Sequence, residues 1–376
     1  MTPRELRASI PALEETTFFN TGASGPSPQP VLEAATDCLV HHKTVAPAAE
    51  GMYTAAANTR EESRETIAAH LGVEPSELAL TESTSDAISA LAASINWQSS
   101  DVIARTAFEH PAGVLPWQRA VKQEGARVRI IETHNGRIDR ESYAEAVEEA
   151  RLVCFSSISW NYGTRIPVAE LVEIAHDADC EVLVDAVQSA GQASIDLEAW
   201  GADYVAGSGH KWLLGPWGSG YLYVRTGAET PLHPAQVCYN SVEDPDTTEY
   251  TLKPNAQRFE RGTTSPAPHV GMAKAITLLE SVGLAEIQAR IETLTDRLKT
   301  AIPDAQLLSP DGFESGLVTI DVAEPEYVVD HLADAEIRIR SLPDPDAIRI
   351  SVHAFNTERE LERLFDALAD CGALEA

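Results

Sequence analysis

Lysine is scarce in this chain of 376 residues, which has only six, at positions 43, 122, 211, 253, 274 and 299. Long apolar runs are also missing, and the first residues lack the layout of a signal peptide, so we expect a cytosolic protein without a membrane span. The five cysteines show no metal-binding spacing and suggest buried thiols in a reducing compartment. Neither GxGxxG nor GxxxxGKS/T is present, which counts against a nucleotide-binding protein.

Basic residues are few compared with acidic ones. The chain has 58 acidic residues against 28 lysines and arginines, and its formal net charge is -30. Nucleic-acid binding is not expected, because phosphate neutralisation needs a basic surface. The acids are spread along helical segments, so they indicate either an ordinary solvated surface or an adaptation to high salt, where screening weakens self-repulsion.

Against this background Lys211 stands out, because it lies in a turn of small residues, GSGHKW at 207–212. A predicted strand at 182–184 ends on Asp185, and Gln188 follows three residues later. Ligands of open α/β sheets bind beyond the carboxyl ends of strands. Chemistry with pyridoxal phosphate (PLP) needs a lysine for the Schiff base and a carboxylate for the pyridinium nitrogen. The stretch 181–225 therefore indicates a cofactor site.

Short apolar strands alternate with turns and helices over the first two thirds of the chain. The predicted strands lie at 77–80, 102–104, 128–131, 152–155 and 182–184. This βα repeat predicts an α/β fold with a mostly parallel sheet covered on both faces. The turn after the first strand, TESTSD at 81–86, fits a helix N-cap or a phosphate cradle, and the residues alone leave both open.

The N-terminal part begins with a short helix and a loop at 17–26, which is either a plain connector or a segment beside the substrate. Residues 31–70 have a helical period. One apolar face of that stretch contains Leu32, Ala35, Leu39 and Val40.

The C-terminal third has a different pattern. Residues 226–256 predict a crossing loop, and a helical stretch over 269–300 is broken at Gly283. Strands around helices follow. We predict a large domain over 31–250, a small α+β domain over 251–376, and an N-terminal segment, 1–30, that packs on the small domain and the active site.

The motifs VDAVQ at 184–188 and SGHK at 208–211, with the spacing between them, resemble those of the class V aminotransferase family. These fold-type-I PLP enzymes include cysteine desulfurases, selenocysteine lyases and isopenicillin N epimerase-like proteins. The resemblance extends from Asn20 to Asn356. It implies a PLP-dependent transferase fold, a large domain with a mostly parallel sheet of the seven-stranded type, PLP as cofactor, and a homodimer with shared active sites.

The resemblance also implies roles for individual residues. Lys211 would form the internal aldimine and move the α-proton of the substrate, and Asp185 would pair with the pyridine nitrogen. His110, in FEHP, would stack on the ring, and Gln188 would bind the ring oxygen. Plain alternatives are a helix-capping acid at the strand end and a core or surface histidine. The implied phosphate ligands are Ser83, Thr84, Ser85, Ser208, His210 and Thr263.

The substrate side is implied by residues further from the lysine. Arg349, in IRISVHAFNT, matches the arginine that binds the substrate carboxylate, although a surface arginine is the plain alternative. Asn20 and Trp160 are further candidates. Thr263 matches a threonine that reaches the phosphate of the neighbouring subunit, which implies the dimer. The resemblance implies no metal site.

Two departures from the family pattern bear on the reaction. Cysteine desulfurases carry a nucleophilic cysteine on the loop before the carboxylate arginine, but 338–345 has none, and Cys371 in the terminal helix is a poor substitute. Trp160 stands where such desulfurases carry an asparagine. The tryptophan is more similar to the epimerase-like and uncharacterised aminotransferase branch. We therefore expect an aminotransferase acting through an external aldimine. The alternatives are cysteine or selenocysteine lyase, desulfurase-like and epimerase chemistry. An intact set of lysine, aspartate and glutamine argues against a non-catalytic scaffold.

Overall fold

The computed structural model describes residues 1–374. Over this range the helices are α1 (Pro3–Ala8), α2 (Gln29–Thr44), α3 (Met52–Leu71), α4 (Thr84–Ser94), α5 (Leu115–Glu124), α6 (Arg140–Val147), α7 (Val168–Asp177), α8 (Leu197–Trp200), α9 (Ala267–Val282), α10 (Leu284–Thr300), α11 (Pro325–Asp334) and α12 (Glu358–Asp370). The strands are β1 (Thr17–Phe18), β2 (Leu78–Thr81), β3 (Val102–Thr106), β4 (Arg127–Ile131), β5 (Thr133–His134), β6 (Arg137–Ile138), β7 (Leu152–Ser156), β8 (Glu181–Asp185), β9 (Tyr204–Ser208), β10 (Gly220–Val224), β11 (Leu317–Ile320), β12 (Ile337–Arg338), β13 (Arg340–Pro343) and β14 (Asp346–Ser351). None of these helices has both the length and the apolar character to cross a bilayer.

The largest sheet has seven strands in the order β2-β10-β9-β8-β7-β3-β4. Its neighbouring strands are parallel, except that β10 is antiparallel to both β2 and β9. Strands β7 and β9 are buried at every position, which explains why they consist largely of apolar and small residues. The predicted α/β fold with a mostly parallel seven-stranded sheet is confirmed.

Alternate residues of the central strands face opposite sides of this sheet and enter two separate hydrophobic clusters. On β8, Val182 and Val184 join one cluster and Leu183 joins the other. Helices therefore pack on both faces of the sheet, and polar side chains are left at the ends of its strands. Because β2, β3, β7, β8 and β9 run in one direction, their carboxyl ends all lie on the same side of the sheet.

The C-terminal part contains a second, antiparallel sheet in the order β11-β14-β13. The N-terminal segment is tied to it, because β1 pairs with β12 and Asn20 makes an isolated bridge to Ser351. This pairing brings the first residues of the chain next to the last strand. The proposed domain boundaries near residues 30 and 250 stay a prediction.

The helical period over 31–70 corresponds to two helices, α2 and α3, separated by a break. Val31 of α2 is buried, but other apolar residues of this helix are exposed. Leu32, Leu39 and Val40 are 42%, 49% and 52% exposed, and Tyr53 at the start of α3 is 73% exposed. These four side chains are called the α2 patch below.

Candidate active site

A cleft opens at the carboxyl ends of the strands of the large sheet. The cleft brings together most of the residues singled out from the sequence. They are Ser83, Thr84, Ser85, His110, Trp160, Asp185, Gln188, Ser208, His210, Lys211 and Arg349. Asn20 and Thr263 do not line it.

The ammonium group of Lys211 points into this cleft from the turn after β9. Over residues 1–374 its Nζ has no hydrogen bond and no ion pair. Burial lowers the pKa of Lys211 to about 8, and the nearby guanidinium groups of Arg349 and Arg340 act in the same direction. Asp185 opposes this shift. The pKa of this amine is therefore closer to neutral pH than that of an ordinary lysine, as a nucleophile or proton carrier requires.

Asp185 ends β8 and is almost completely buried. One carboxylate oxygen, Oδ1, accepts a hydrogen bond from the backbone N–H of Val187 at 2.9 Å. Burial raises the pKa of Asp185, while this hydrogen bond and the charge of Lys211 lower it. The buried carboxylate can thus accept a further hydrogen bond. A protonated ring nitrogen could donate it and would be stabilised by the negative charge.

The turn at 81–86 contains a helix cap and also lines the cleft. Ser83 caps α4, because its hydroxyl accepts from the backbone N–H of Asp86 at 3.1 Å. The hydroxyl of Ser208 accepts from the backbone N–H of Thr84 at 2.6 Å and lies 2.8 Å from the Thr84 hydroxyl. Hydroxyls and the N-terminus of α4 therefore converge in one corner of the cleft, which suits an anion such as a phosphate.

His110 lines the cleft together with the lysine turn. Its Nδ1 accepts from the backbone N–H of Ala112 at 3.2 Å, so the ring proton lies on Nε2. Burial, together with the charges of Lys211, Arg340 and Arg349, lowers the pKa of His110 to about 4. A neutral, flat imidazole in this position is suited to stacking on a heterocycle.

Trp160 is held against His110, with ring centroids 5.4 Å apart in an edge-to-face arrangement. Its indole Nε1 donates to the carbonyl of Phe108 at 2.8 Å. Its own carbonyl accepts from Arg349 Nη1 at 2.7 Å. Trp160 therefore links the histidine to the arginine.

Gln188 is fixed at both ends of its amide. Its Oε1 accepts from the indole of Trp212 at 2.7 Å, and its Nε2 donates to the carbonyl of Gly22 at 3.0 Å. One N–H of the amide is left for a ligand in the cleft. This supports the predicted hydrogen bond to a ring oxygen.

Arg349 enters from β14 of the small sheet and is completely buried. Its Nε and Nη2 have no partner within residues 1–374. Burial and the neighbouring charge of Arg340 lower the pKa of Arg349 to about 9. A buried guanidinium edge with two free donors is costly without an anion, so it indicates a carboxylate site.

Asn20 and Thr263 lie outside the cleft. Asn20 is next to the substrate side but bridges to Ser351, and its buried Oδ1 has no partner in the described chain. Thr263 lies near Tyr53 of the α2 patch, where its backbone N–H donates to the hydroxyl of Tyr239 at 2.6 Å. Neither position rules out the predicted role, and both roles stay predictions.

Two residues of the site were missed from the sequence. Arg340, on β13, lines the cleft and stands directly opposite Arg349 in the small sheet. Glu109, next to His110, is buried and accepts two hydrogen bonds from Ser156, one from its Oγ at 2.7 Å and one from its backbone N–H at 3.0 Å. Burial raises the pKa of Glu109 to about 7. The alternating segment IRIR at 337–340, which indicates a strand, was the available signal for Arg340.

The chain is similar to known proteins over nearly its whole length. The model of the family described as aminotransferase class-V matches residues 17–364. A probable cysteine desulfurase of Methanothermobacter thermautotrophicus is 29% identical, with 100% of this chain and 99% of that protein covered. The apo structure of a cysteine desulfurase from Thermococcus onnurineus superposes with a TM-score of 0.91 at 28% identity, covering 99% of this chain and 98% of that one.

The chain is also similar to the lyase C-DES in two solved structures. A lysine-to-alanine mutant with glycine covalently linked to its PLP cofactor has a TM-score of 0.91 at 26% identity, covering 97% of this chain and 99% of that one. The complex of this cystine C–S lyase with its product, cysteine persulfide, has a TM-score of 0.90 at 26% identity, with coverages of 96% and 99%. Similar proteins thus include both a desulfurase and a C–S lyase.

Proposed function

Because the chain belongs to the aminotransferase class-V family, we propose that it is a PLP-dependent lyase that cleaves the C–S bond of a sulfur-containing amino acid without an enzyme thiol. One observation carries this proposal. The cleft that holds Lys211 and Arg349 is lined by no cysteine over the described residues. Desulfurase-like relatives favour sulfur chemistry over the expected aminotransferase reaction.

The residues of the cleft fit PLP. Lys211 would bind it covalently, Asp185 would pair with its ring nitrogen, and the corner formed by α4 and Ser208 would hold its phosphate. His110 would cover one face of the ring. When bound, PLP supplies an electron sink that weakens the bonds at the α-carbon of an amino acid.

Arg349 would position the substrate by its carboxylate, with two N–H groups of one guanidinium edge. The freed amine of Lys211, with its pKa near neutrality, would then take the α-proton. Loss of this proton lets the Cβ–S bond break, and the sulfur leaves with the bonding electron pair. Water completes the reaction, which gives pyruvate, ammonia and a sulfur anion.

The position of the thiols supports release of the sulfur rather than its transfer to the enzyme. Cys154 is completely buried within the sheet, and burial raises its pKa well above its usual range. Cys371 follows α12 at the C-terminal end of the described chain. Neither side chain is available to accept sulfur from a substrate bound at Arg349.

A homodimer belongs to the same proposal. Thr263 lies beside the exposed α2 patch and outside the cleft of its own chain. An apolar surface that includes side chains 42% to 73% exposed suits an interface between subunits. Burial of this patch against a second copy would let Thr263 reach the partner's phosphate corner.

Product analysis tests the proposed reaction. Purified protein loaded with PLP is incubated with L-cysteine and L-cystine, and pyruvate, sulfide and persulfide are quantified. We expect pyruvate and reduced sulfur in equal amounts, with no need for a keto-acid acceptor. Amino transfer that depends on an added keto acid would support the aminotransferase expectation, and D-amino acid would support an epimerase. Either result without sulfur release contradicts the lyase proposal.

A further inference from the structure

Glu109 is a buried carboxyl group that has no part in the proposed reaction. It lies three residues after the end of β3, and only 6% of it is exposed. Over residues 1–374 it forms no ion pair with a lysine, arginine or histidine. Burial of a charge without a countercharge is costly. A carboxyl group in such a place is therefore expected either to hold a proton or to meet a cation that binds there.

Three hydrogen bonds hold the carboxyl group of Glu109. Oε1 accepts from the backbone N–H of Ser156 at 3.0 Å and from the hydroxyl of Thr106. Oε2 accepts from Ser156 Oγ at 2.7 Å. Thr106 and Ser156 are the last residues of β3 and β7, so the carboxyl group joins the ends of two neighbouring strands. Hydrogen bonds donated to a carboxyl group favour its ionised form, which allows Glu109 to lose a proton at moderate pH.

Asp185 lies one strand further along the sheet. Ser156 and Asp185 are paired in the register of β7 and β8, so their side chains leave the same face of the sheet. Adjacent strands are about 4.8 Å apart. Because the side chain of Ser156 contacts Glu109, the two buried carboxyl groups are close together on that face. Burial raises the pKa of Glu109 to about 7, and the negative charge of Asp185 acts in the same direction.

Cys154 is a further ionisable group beside Glu109. A Cβ on Gly113 would lie 3.2 Å from Glu109 Oε2 and 3.7 Å from Cys154 Sγ, so the three residues meet at one point. Burial raises the pKa of Cys154 well above its usual range. The side chain is thus a neutral thiol and does not compete with the carboxyl groups for charge.

None of the basic side chains around the pair neutralises Glu109 over residues 1–374. Lys211 faces Asp185, whose pKa its charge lowers. His110 is neutral, because burial lowers its pKa to about 4. Arg105 donates from Nη1 to a backbone carbonyl of its own strand at 2.9 Å. A cation that pairs with Asp185 would therefore change the charge that Glu109 experiences.

From this arrangement we infer that Glu109 is a positioning residue, which acts through Asp185 on the ring nitrogen of bound PLP and gives up a proton when the cofactor binds. A protonated ring nitrogen next to Asp185 cancels the negative charge that Glu109 faces. Glu109 then ionises, its proton passes to the solvent, and the second carboxylate adds to the negative charge that keeps the ring nitrogen protonated. The inference depends on PLP binding and not on the proposed lyase reaction.

Proton release during cofactor binding tests this inference. The apoprotein is titrated with PLP by isothermal titration calorimetry at pH 7, in two buffers with different ionisation enthalpies. A group with a pKa of about 7 is half protonated at this pH. We therefore expect the wild type to release about 0.5 proton more than Glu109→Gln. Glutamine has nearly the same shape, and its amide oxygen can still accept from the backbone N–H of Ser156.

Affinity for PLP gives a second readout with a defined direction. Release of a proton makes binding tighter as the pH rises. We expect the Kd of Glu109→Gln to be close to that of the wild type at pH 5.5 and about fivefold higher or more at pH 8.5. Absorbance titration of the apoproteins measures both values. A loss of affinity that is equal at both pH values would indicate a purely structural role and overturn the inference.

Glu181→Gln is the matched control. Glu181 begins the strand that Asp185 ends, burial also raises its pKa, and it does not line the cleft. We expect this variant to have the proton count and the Kd values of the wild type. Equal proton counts in the wild type and in Glu109→Gln would overturn the inference.

Ser156→Ala tests the same inference with the carboxyl group kept, including the case in which Glu109→Gln does not fold. It removes the hydrogen bond from Ser156 Oγ to Glu109 Oε2. Because this bond favours the ionised form, the pH range of proton release should move upward by about one unit. An unchanged range in Ser156→Ala would show that Glu109 is not the source of the proton. No amino acid is present in any of these titrations, so their outcome is independent of whether the protein is a lyase.

Discussion

The two halves of the cleft are built in different ways. The cofactor half comes from the carboxyl edge of one parallel sheet, where Asp185 and Ser208 end adjacent strands. The substrate half is assembled from distant parts of the chain, with Arg340 and Arg349 from the small sheet and Gly22 from the N-terminal segment. The cofactor half can thus stay constant while the substrate half changes with loop length and register.

The largest effect is expected in the cofactor half. Lys211→Ala removes the only lysine that lines the cleft over residues 1–374, and we expect kcat to fall by about 10³-fold or more. Borohydride should no longer attach PLP covalently. Mass spectrometry of the trapped protein checks this, with Lys122→Ala on the exposed side of α5 as control. Trapping at a different lysine in Lys211→Ala would contradict the assignment.

A smaller effect, in KM, is expected in the substrate half. Arg349→Gln removes the buried fork for the α-carboxylate, and we expect kcat/KM to fall by about 10²-fold, mainly through KM. Uptake of PLP should stay normal, because the cofactor half is unchanged. Steady-state kinetics and absorbance titration measure the two quantities. Arg297→Gln on α10, an exposed arginine, is the control. Loss of PLP binding in Arg349→Gln would show that the halves are not independent.

The buried amine of Lys211 predicts a dependence of stability on pH. Its pKa in the folded protein without cofactor is about 8, compared with 10.5 as the ordinary value. The folded state thus binds fewer protons than the unfolded state between these pH values, and this contribution to stability rises with pH there. Below pH 8 the buried cation is destabilising. Lys211→Met should stabilise the apoprotein at pH 7 by on the order of 2 kcal/mol.

This difference should shrink as the pH is raised from 8 towards 10.5. Urea unfolding of both apoproteins at pH 7 and pH 10 measures it. Lys274→Met, on α9, is the matched control for the added apolar side chain. A stability difference that is the same at both pH values would show that packing, and not charge, causes it.

Salt tests the contrast between the cationic cleft and the acidic exterior. With a net charge of -30, we expect the free energy of unfolding to increase by about 1–2 kcal/mol between low salt and molar salt, because screening reduces self-repulsion. Affinity for an anionic substrate should weaken over the same range. Equal stability at low and high salt would count against adaptation to high salt.

Sequence reasoning was most successful for the cofactor half, for a physical reason. The end of an apolar run in the sequence predicts the end of a strand, and parallel strands have their carboxyl ends on the same side of the sheet. That argument located Asp185 and the turn with Lys211 without knowledge of the strand order. The same argument does not predict the strand order, in which β10 lies antiparallel between β2 and β9.

The substrate half was harder to predict, because it depends on long-range register. Arg340 belongs to the cleft because β13 pairs with β14 in a register that puts it opposite Arg349. A shift of one residue would turn it to the other face. The apolar period of α2 likewise predicted a helix, but not that Leu39 and Val40 would be about half exposed.

Gly22, near the start of the chain, packs closely against the small sheet in the substrate half of the cleft. A Cβ on it would lie 2.6 Å from Leu317 Cδ2 and 3.1 Å from Arg349 Nη2, so any larger residue would push this segment away from the arginine. The segment around Gly22 and the strand with Arg349 are far apart in the sequence, so the substrate half is complete only after these two distant parts of the chain have come together.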